Sequence, residues 1–190
     1  MKTTFLVFLL LLIVSTAFAQ NKQFDIVVGG GYYATPSRVP VFGGEFFNGE
    51  FEYHHNRRWA FSAGLLTTQY HYRLDGSRSS TLSGIPINRG GEIQTNFMAK
   101  YKVVNQKVLT VQLGLGAGLF TMGQEVAIDY SNGSSSYLYT SNTDLGFPLS
   151  AEAYTPLTRH ILIGVKVGSF IFPDYPIVGN NVSFQVRYRL

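Results

Sequence analysis

The sequence predicts an all-β fold, an eight-stranded antiparallel up-and-down transmembrane β-barrel, and three observations carry that prediction. Behind an apolar leader, eight stretches alternate apolar and polar residues with period two, the pattern of strands with two unlike faces. Each stretch is about ten residues or more, long for a globular strand but suited to a tilted bilayer crossing of about 9–11 residues. The connections alternate strictly between short and long, so one rim of the barrel carries tight turns and the other carries loops.

The leader comes first. Lys2 supplies a positive start, Phe5 to Val14 is an unbroken apolar run, and Ala17-Phe18-Ala19 has the small-x-small form of a cleavage site. The run is too short to span a bilayer as a helix, so residues 1–19 read as an export signal and 20–190 as one domain.

The first strand runs from about Lys22 to Tyr33, with Phe24, Ile26, Val28, Gly30 and Tyr32 on one face. The second, Gly44 to His54, sets Phe47, Gly49, Phe51 and Tyr53 against Asn48, Glu50 and Glu52, and a tight turn follows over 55–58. The third, Trp59 to Leu74, begins with Trp59, Phe61, Ala63 and Leu65 on one face and then shifts its apolar set to Leu66, Tyr70, Tyr72 and Leu74. That phase slip predicts either a bulge near Leu65-Leu66 or a strand leaving the membrane. The fourth, Glu92 to Val104, alternates cleanly and meets a two-residue connection at Asn105-Gln106. The fifth, Lys107 to Met122, carries Leu109, Val111, Leu113, Leu115, Ala117 and Leu119 opposite Gln112, Gly114, Gly116 and Gly118. The sixth, Asp144 to Thr155, sets Leu145, Phe147, Leu149, Ala151 and Ala153 against Ser150, Glu152 and Tyr154, and turns over 156–159. The seventh holds Ile161, Ile163, Val165, Val167 and Ile171 opposite Gly164, Lys166 and Gly168. The eighth ends the chain, with Val182, Phe184, Val186, Tyr188 and Leu190 opposite Ser183, Gln185, Arg187 and Arg189. The long loops then fall at 34–43, 75–91, 123–143 and 173–180.

This arrangement resembles the small eight-stranded outer-membrane β-barrel proteins of Gram-negative bacteria, and most of all the single-domain barrels of Bacteroidetes-type organisms, whose exported chains often begin with Gln as Gln20 does here. The resemblance covers about 20–190. Its most specific piece is the final strand, Val182 to Leu190, which looks like the signal read by the barrel-assembly machinery, although that signal usually ends in Phe rather than Leu. The resemblance implies a cell outer-membrane location, with short turns in the periplasm and long loops outside.

An eight-stranded barrel is only wide enough for side chains to fill it, which argues against an open pore. The inward set Glu50, Glu52, Lys100, Glu152, Lys166 and Arg187, with Gln112 and Gln185, predicts an interior network of opposite charges. Counting from the turns puts Glu52, Lys100, Glu152 and Arg187 at one depth. The glycines at 114, 116, 118, 164 and 168 leave room for Met98, Tyr154 and Phe170. Outward aromatics predict two girdles: Tyr53, Trp59, Tyr101 and Tyr188 near the turns, and Tyr32, Phe147 and Tyr70 or Tyr72 near the loops. A proton or ion path through the charges is the functional alternative to a structural plug.

Chemistry beyond this is sparse. With no Cys there is no disulfide, thiolate metal site or acylated cysteine, and a net charge of +4 is too weak to argue for nucleic acid. His54, His55 and His160 fall at turns, where solvated or headgroup-facing roles are expected, and neither a metal motif nor a cofactor motif occurs. Lipid A deacylases and acyltransferases share this size and architecture but need a His-Ser pair at the barrel surface. His71 is followed by Tyr72 and Arg73, so a His-x-Ser strand pattern is missing and no catalysis is expected. The remaining alternatives are a narrow channel and a small-ligand carrier; a soluble lipocalin-like barrel would invert the inside-outside pattern. Arg38, Arg73, Arg78 and Arg89 lie in or beside the long loops, where their guanidinium forks suit lipopolysaccharide phosphates. The Ser/Tyr-rich stretch within 123–143 suits adaptable surface contacts.

Overall fold

A computed structural model describes residues 23–34, 41–42, 44–72, 88–129, 136–171 and 179–190. These form β1 (Gln23–Ala34), β2 (Val41–Phe42), β3 (Gly44–His54), β4 (Trp59–Tyr72), β5 (Asn88–Asn105), β6 (Thr110–Asp129), β7 (Ser136–Pro156), β8 (Ile161–Ile171) and β9 (Gly179–Arg189). β2 is a two-residue segment against Tyr72 and His71 of β4. The other eight strands close a ring: β1 pairs with both β3 and β9, neighbours then follow chain order, and β4 meets β5 from Trp59↔Tyr101 to Tyr72↔Asn88. All pairings are antiparallel, and within the ring closure leaves the described strands no unpaired edge. The leader residues 1–19 lie outside the described residues.

The short connections gather both ends of the described barrel and the turns 55–58, 106–109 and 157–160 at one rim. Asn56 makes the first turn by accepting, at its side-chain oxygen, the backbone N–H groups of Arg58 and Trp59 at 2.8 Å. The expected two-residue connection at Asn105-Gln106 is instead a four-residue one, Gln106 to Leu109, closed by Gln106 N–H donating to the Leu109 carbonyl. A register shift between Lys102 and Val104 absorbs the change in length.

At the opposite rim, β6 and β7 continue as a ladder past the ring, pairing as far as Asp129↔Ser136. Most of the span expected as a loop, 123–143, is therefore strand; polar β-formers such as Thr140 and Thr143 keep the backbone ladder when neither face needs to be apolar. Within β7, Pro148 has no N–H to donate, and the β6–β7 register lapses between Leu115↔Leu149 and Gly118↔Gly146.

Of the two readings of the third strand, the bulge near Leu65-Leu66 does not occur, while the outward face turns polar at Thr67, as in a strand leaving the membrane. β4 keeps one register with both neighbours throughout, with Leu66 and Tyr70 inside and no bulge near Leu65. The change in apolar pattern reports a change in the lumen, which is charged toward the turn rim and admits large apolar and aromatic side chains beside Glu92 toward the loop rim. Tyr33, Phe46 and Leu66 form a buried cluster there, beside Phe120 and Phe170 with ring centroids 5.7 Å apart.

Close approach of β5 and β6 requires glycine at 116, where an added Cβ would overlap the Phe97 carbonyl oxygen and lie 2.8 Å from Met98 Cα. These are backbone atoms and cannot rotate away. Gly116→Ala is expected to destabilise the barrel by about 1–3 kcal/mol, read as a lower urea midpoint from Trp59 fluorescence; an unchanged midpoint would show that the two strands can separate at no cost.

Candidate functional site

Alternation with period two turns one residue of each pair in β3, β5, β7, β8 and β9 into the lumen, and the register sets their depths. Glu52 faces Asp25 across β1–β3, Glu152 faces Gln112 across β6–β7 and Lys166 across β7–β8, and Arg187 faces Val27 and Leu162. The result is a stack of ion pairs. Lys100, fully buried, lies with its Nζ 2.5 Å from Glu50 Oε2, 2.8 Å from Glu52 Oε2 and 2.8 Å from Glu152 Oε1. Arg187 reaches Glu52 at 3.1 Å and also pairs with Glu152, while its guanidinium carbon sits 4.2 Å from the centroid of the Tyr154 ring. Lys166 pairs with Glu50. Gln112 bridges the carboxylates, its amide donating to Glu52 at 3.1 Å and to Glu152 at 3.0 Å. The space for Lys100 comes from Ala60 and Gly114 opposite it; a Cβ on Gly114 would lie 3.2 Å from Lys100 Cγ and 2.9 Å from Met98 Cε.

The structure thus brings together all six charged residues singled out by inward parity. It adds Asp25 and His54, with Arg189 and Lys102 as their cationic partners. Asp25 is buried and receives Arg189 at 3.5 Å, so four carboxylates, Asp25, Glu50, Glu52 and Glu152, face four cations, Lys100, Lys166, Arg187 and Arg189. His54, expected at a solvated turn, is instead buried at 6% exposure: its Nε2 lies 2.9 Å from Asp25 Oδ2, and Lys102 Nζ lies 3.0 Å from its Nδ1. Lys102 can only donate, so Nδ1 accepts and Nε2–H donates to Asp25. The signal is present in the sequence, because His54 has the parity of Glu50 and Glu52; proximity to the turn obscures it.

Asp25, Glu52 and His54 present ligand atoms within 4.8 Å of one another, the geometry of a small metal site. Their ligand atoms are already engaged: His54 Nε2 and Asp25 by each other, Glu52 by Lys100 and Arg187, Asp25 also by Arg189. A cation entering there would meet Lys100, Lys102, Arg187 and Arg189, and the residues fit an ion-pair role better than a metal.

Above the ion pairs the lumen narrows to a cavity of about 20 Å³ among Asn48, Gln94, Asn96, Lys166 and Asn181, room for about one water. Beyond it lie the aromatic cluster and Glu92, buried at 2% exposure and hydrogen-bonded by the Tyr33 hydroxyl. Among the described residues, charges, amides and aromatics follow one another along the lumen.

The outward face is the reverse. Val28, Phe47, Leu65, Phe97, Leu115, Val165 and Phe184 are each at least half exposed, on a molecule whose buried residues include Arg, Lys and Glu. Only a bilayer makes that distribution favourable. The solved structures agree. The fold is that of the small outer-membrane β-barrels. The chain is similar to a major outer membrane protein of Thermus thermophilus, with TM-score 0.67 and 12% identity over 90% of this chain and 100% of that one. It is similar to the outer membrane protein OprG of Pseudomonas aeruginosa, with TM-score 0.59 and 11% identity over 87% and 95%. It is similar also to Ail, the attachment invasion locus protein of Yersinia pestis, solved with the heparin analogue sucrose octasulfate, with TM-score 0.55 and 12% identity over 89% and 97%. No family model and no curated protein matches the chain.

The girdle at the turn rim is in place: Trp59 packs edge-on against Tyr101 at 5.0 Å, Tyr188 stacks on His160 at 6.0 Å, and Tyr53 meets Phe24 at 5.1 Å. At the loop rim Tyr32 and Phe147 face outward, but Tyr70 does not; it is buried in the lumen, where it hydrogen-bonds Glu92, and the side chain of Tyr72 is outside the described set. His55 contacts the Tyr53 and Phe61 rings, and His160 Nδ1 donates to the Arg189 carbonyl at 3.1 Å. Arg38, Arg73 and Arg78 lie outside the described residues; Arg89 sits in β5 opposite His71, and neither side chain is described.

Proposed function

We propose that this protein is an integral outer-membrane barrel with a structural or surface-interaction role, its lumen a plug and its loop rim the working surface. The observation that carries the reading is the filled, charge-balanced interior: Lys100, Arg187 and Lys166 neutralise every carboxylate around them at contact distance, which favours rigidity over passage. The membrane location supports a topology with the turn rim in the periplasm and the β6–β7 extension outside. Residues 1–19 act as the export signal, β9 as the strand read by the assembly machinery, and the Bacteroidetes-type relationship rests on Gln20 and that final strand alone.

The partner we propose is the lipopolysaccharide of the outer leaflet, with Arg38, Arg73, Arg78 and Arg89 as phosphate contacts. That Ail was solved with a heparin analogue, sucrose octasulfate, supports polyanion binding by this fold. A lipid A-modifying activity finds less support, since the described histidines, His54, His55 and His160, are engaged by Asp25, by aromatic rings and by a backbone carbonyl.

Two measurements test the reading. Outer-membrane fractionation with cold and boiled gel lanes is expected to recover the protein in the membrane and to shift its mobility on boiling. Planar-bilayer recording is expected to stay silent; steady single-channel conductance would replace the plug with a channel.

A further inference from the structure

We infer that the outer wall of the barrel carries a binding groove for the sugar headgroup of an outer-leaflet glycolipid, lined in part by Gly91 and Gly123. The inference rests on the outer-membrane reading and names a place on the wall where the lipid partner docks.

A cavity of about 620 Å³ lies at the loop rim against β4, β5, β6 and β7, within the usual size range of small-molecule sites. Its outward lining residues, exposed Thr67, Gln69 and Tyr139 and half-buried Thr121, stand at odd positions, and so do Gly91 and Gly123 in the same lining. Odd positions on these strands are the outward ones, as Leu65, Phe97, Leu119 and Leu145 show. The groove is therefore on the bilayer side of the wall, and buried Thr68, Tyr70 and Glu92 back it from within.

Its height is set by what lies below. The apolar belt ends at Leu65, Ile93, Leu119 and Leu145, and the next outward residues are Thr67, Gly91, Thr121 and Thr143, with Thr121 and Thr143 hydroxyls 3.0 Å apart. The groove thus opens where hydrocarbon gives way to headgroups, so a lipid seated there keeps its chains against Ile93 and Leu119. The described lining offers hydroxyls, an amide and a phenol ring but no cation, which matches uncharged sugar hydroxyls rather than phosphate. Tyr139, 67% exposed, supplies an aromatic wall of the kind on which the apolar face of a pyranose rests; its ring lies over Gly123, where a Cβ would overlap the phenol oxygen.

Gly91 makes the inference testable. A Cβ there would meet only the Thr68 carbonyl oxygen, at an ordinary 3.4 Å, so strand packing does not demand glycine at this position. Gly91→Val adds a β-branched strand former that fills the groove while leaving the fold intact.

The experiment uses the full barrel reconstituted in vesicles of phosphatidylethanolamine and phosphatidylglycerol, with or without lipid A, and counts retained lipid by native mass spectrometry. The wild-type chain is expected to retain lipid A over phospholipid. Gly91→Val and Tyr139→Ala are each expected to weaken that retention at least about tenfold while keeping the mobility shift on boiling. A water-soluble glucosamine disaccharide that competes with lipid A would assign recognition to the sugar; failure to compete at millimolar concentration would overturn the sugar assignment. Lipid A retention unchanged in both variants would overturn the groove while leaving the membrane reading intact. Absence of the wild-type protein from the membrane, with no mobility shift, would overturn the reading beneath it. Should Gly91→Val lose its shift, Tyr139→Ala decides alone.

Discussion

Lys100→Met is expected to destabilise the folded barrel by about 3–5 kcal/mol, the cost of breaking a buried ion pair by removing one partner. The substitution nearly conserves volume, so the loss is electrostatic rather than a cavity effect. Glu50, Glu52 and Glu152 all rest on the Lys100 ammonium at 2.5–2.8 Å. Without it, Glu50 keeps Lys166, and Glu52 and Glu152 share Arg187, leaving three carboxylates on two cations in a buried site. The measurement is the urea midpoint of the mobility shift in vesicles. Lys107→Met, at an exposed turn position, serves as the control and is expected to stay within about 0.5 kcal/mol of wild type. Adding Glu50→Gln to Lys100→Met should cost much less than Glu50→Gln alone adds to wild type, because the two charges share one network. A fully additive pair would mean that Lys100 does not hold Glu50, and the plug reading would lose that contact.

Where the sequence is legible, the reason is periodicity applied to a closed sheet. In a barrel every strand has one lumen face, so parity alone assigns Glu52, Lys100, Glu152 and Arg187 inward, and counting from tight turns gives them a common depth. The contacts among them express that depth in distances. Parity fails only where it is combined with an assumption about polarity. Aromatic character argues for Tyr70 on the outside, yet the lumen itself takes in aromatic side chains toward the loop rim. Position argues for a solvated His54 because the turn begins one residue later, yet its side chain still points inward to Asp25. Two polar faces argue for a loop where β6 and β7 extend beyond the ring; backbone pairing, which no side-chain pattern reports, continues regardless. Asp25 hides among Phe24, Ile26 and Val28, a single carboxylate whose partners, His54 and Arg189, come from distant parts of the chain.

The orientation of the whole assembly relative to its solvent rests on the outward face, and Leu115→Arg should show the largest effect there. Leu115 is 60% exposed in the middle of β6, flanked by Leu113 and Leu119 on the same face. Against water, replacing an exposed leucine by arginine is close to neutral or improves solubility. Against the middle of a bilayer the same change costs about 2–4 kcal/mol, falling toward about 0–1 kcal/mol near the interface. The expected series is therefore a strong loss of stability in vesicles for Leu115→Arg, a small one for Thr121→Arg just beyond the belt, and little change for Val108→Arg in the 106–109 turn. A graded profile of this kind cannot arise from packing, because none of the three side chains is buried, and it would measure the thickness of the lipid belt residue by residue. Equal, small effects at all three positions would mean that the apolar face meets something other than hydrocarbon, and the filled lumen would then need a different explanation from the one a membrane supplies.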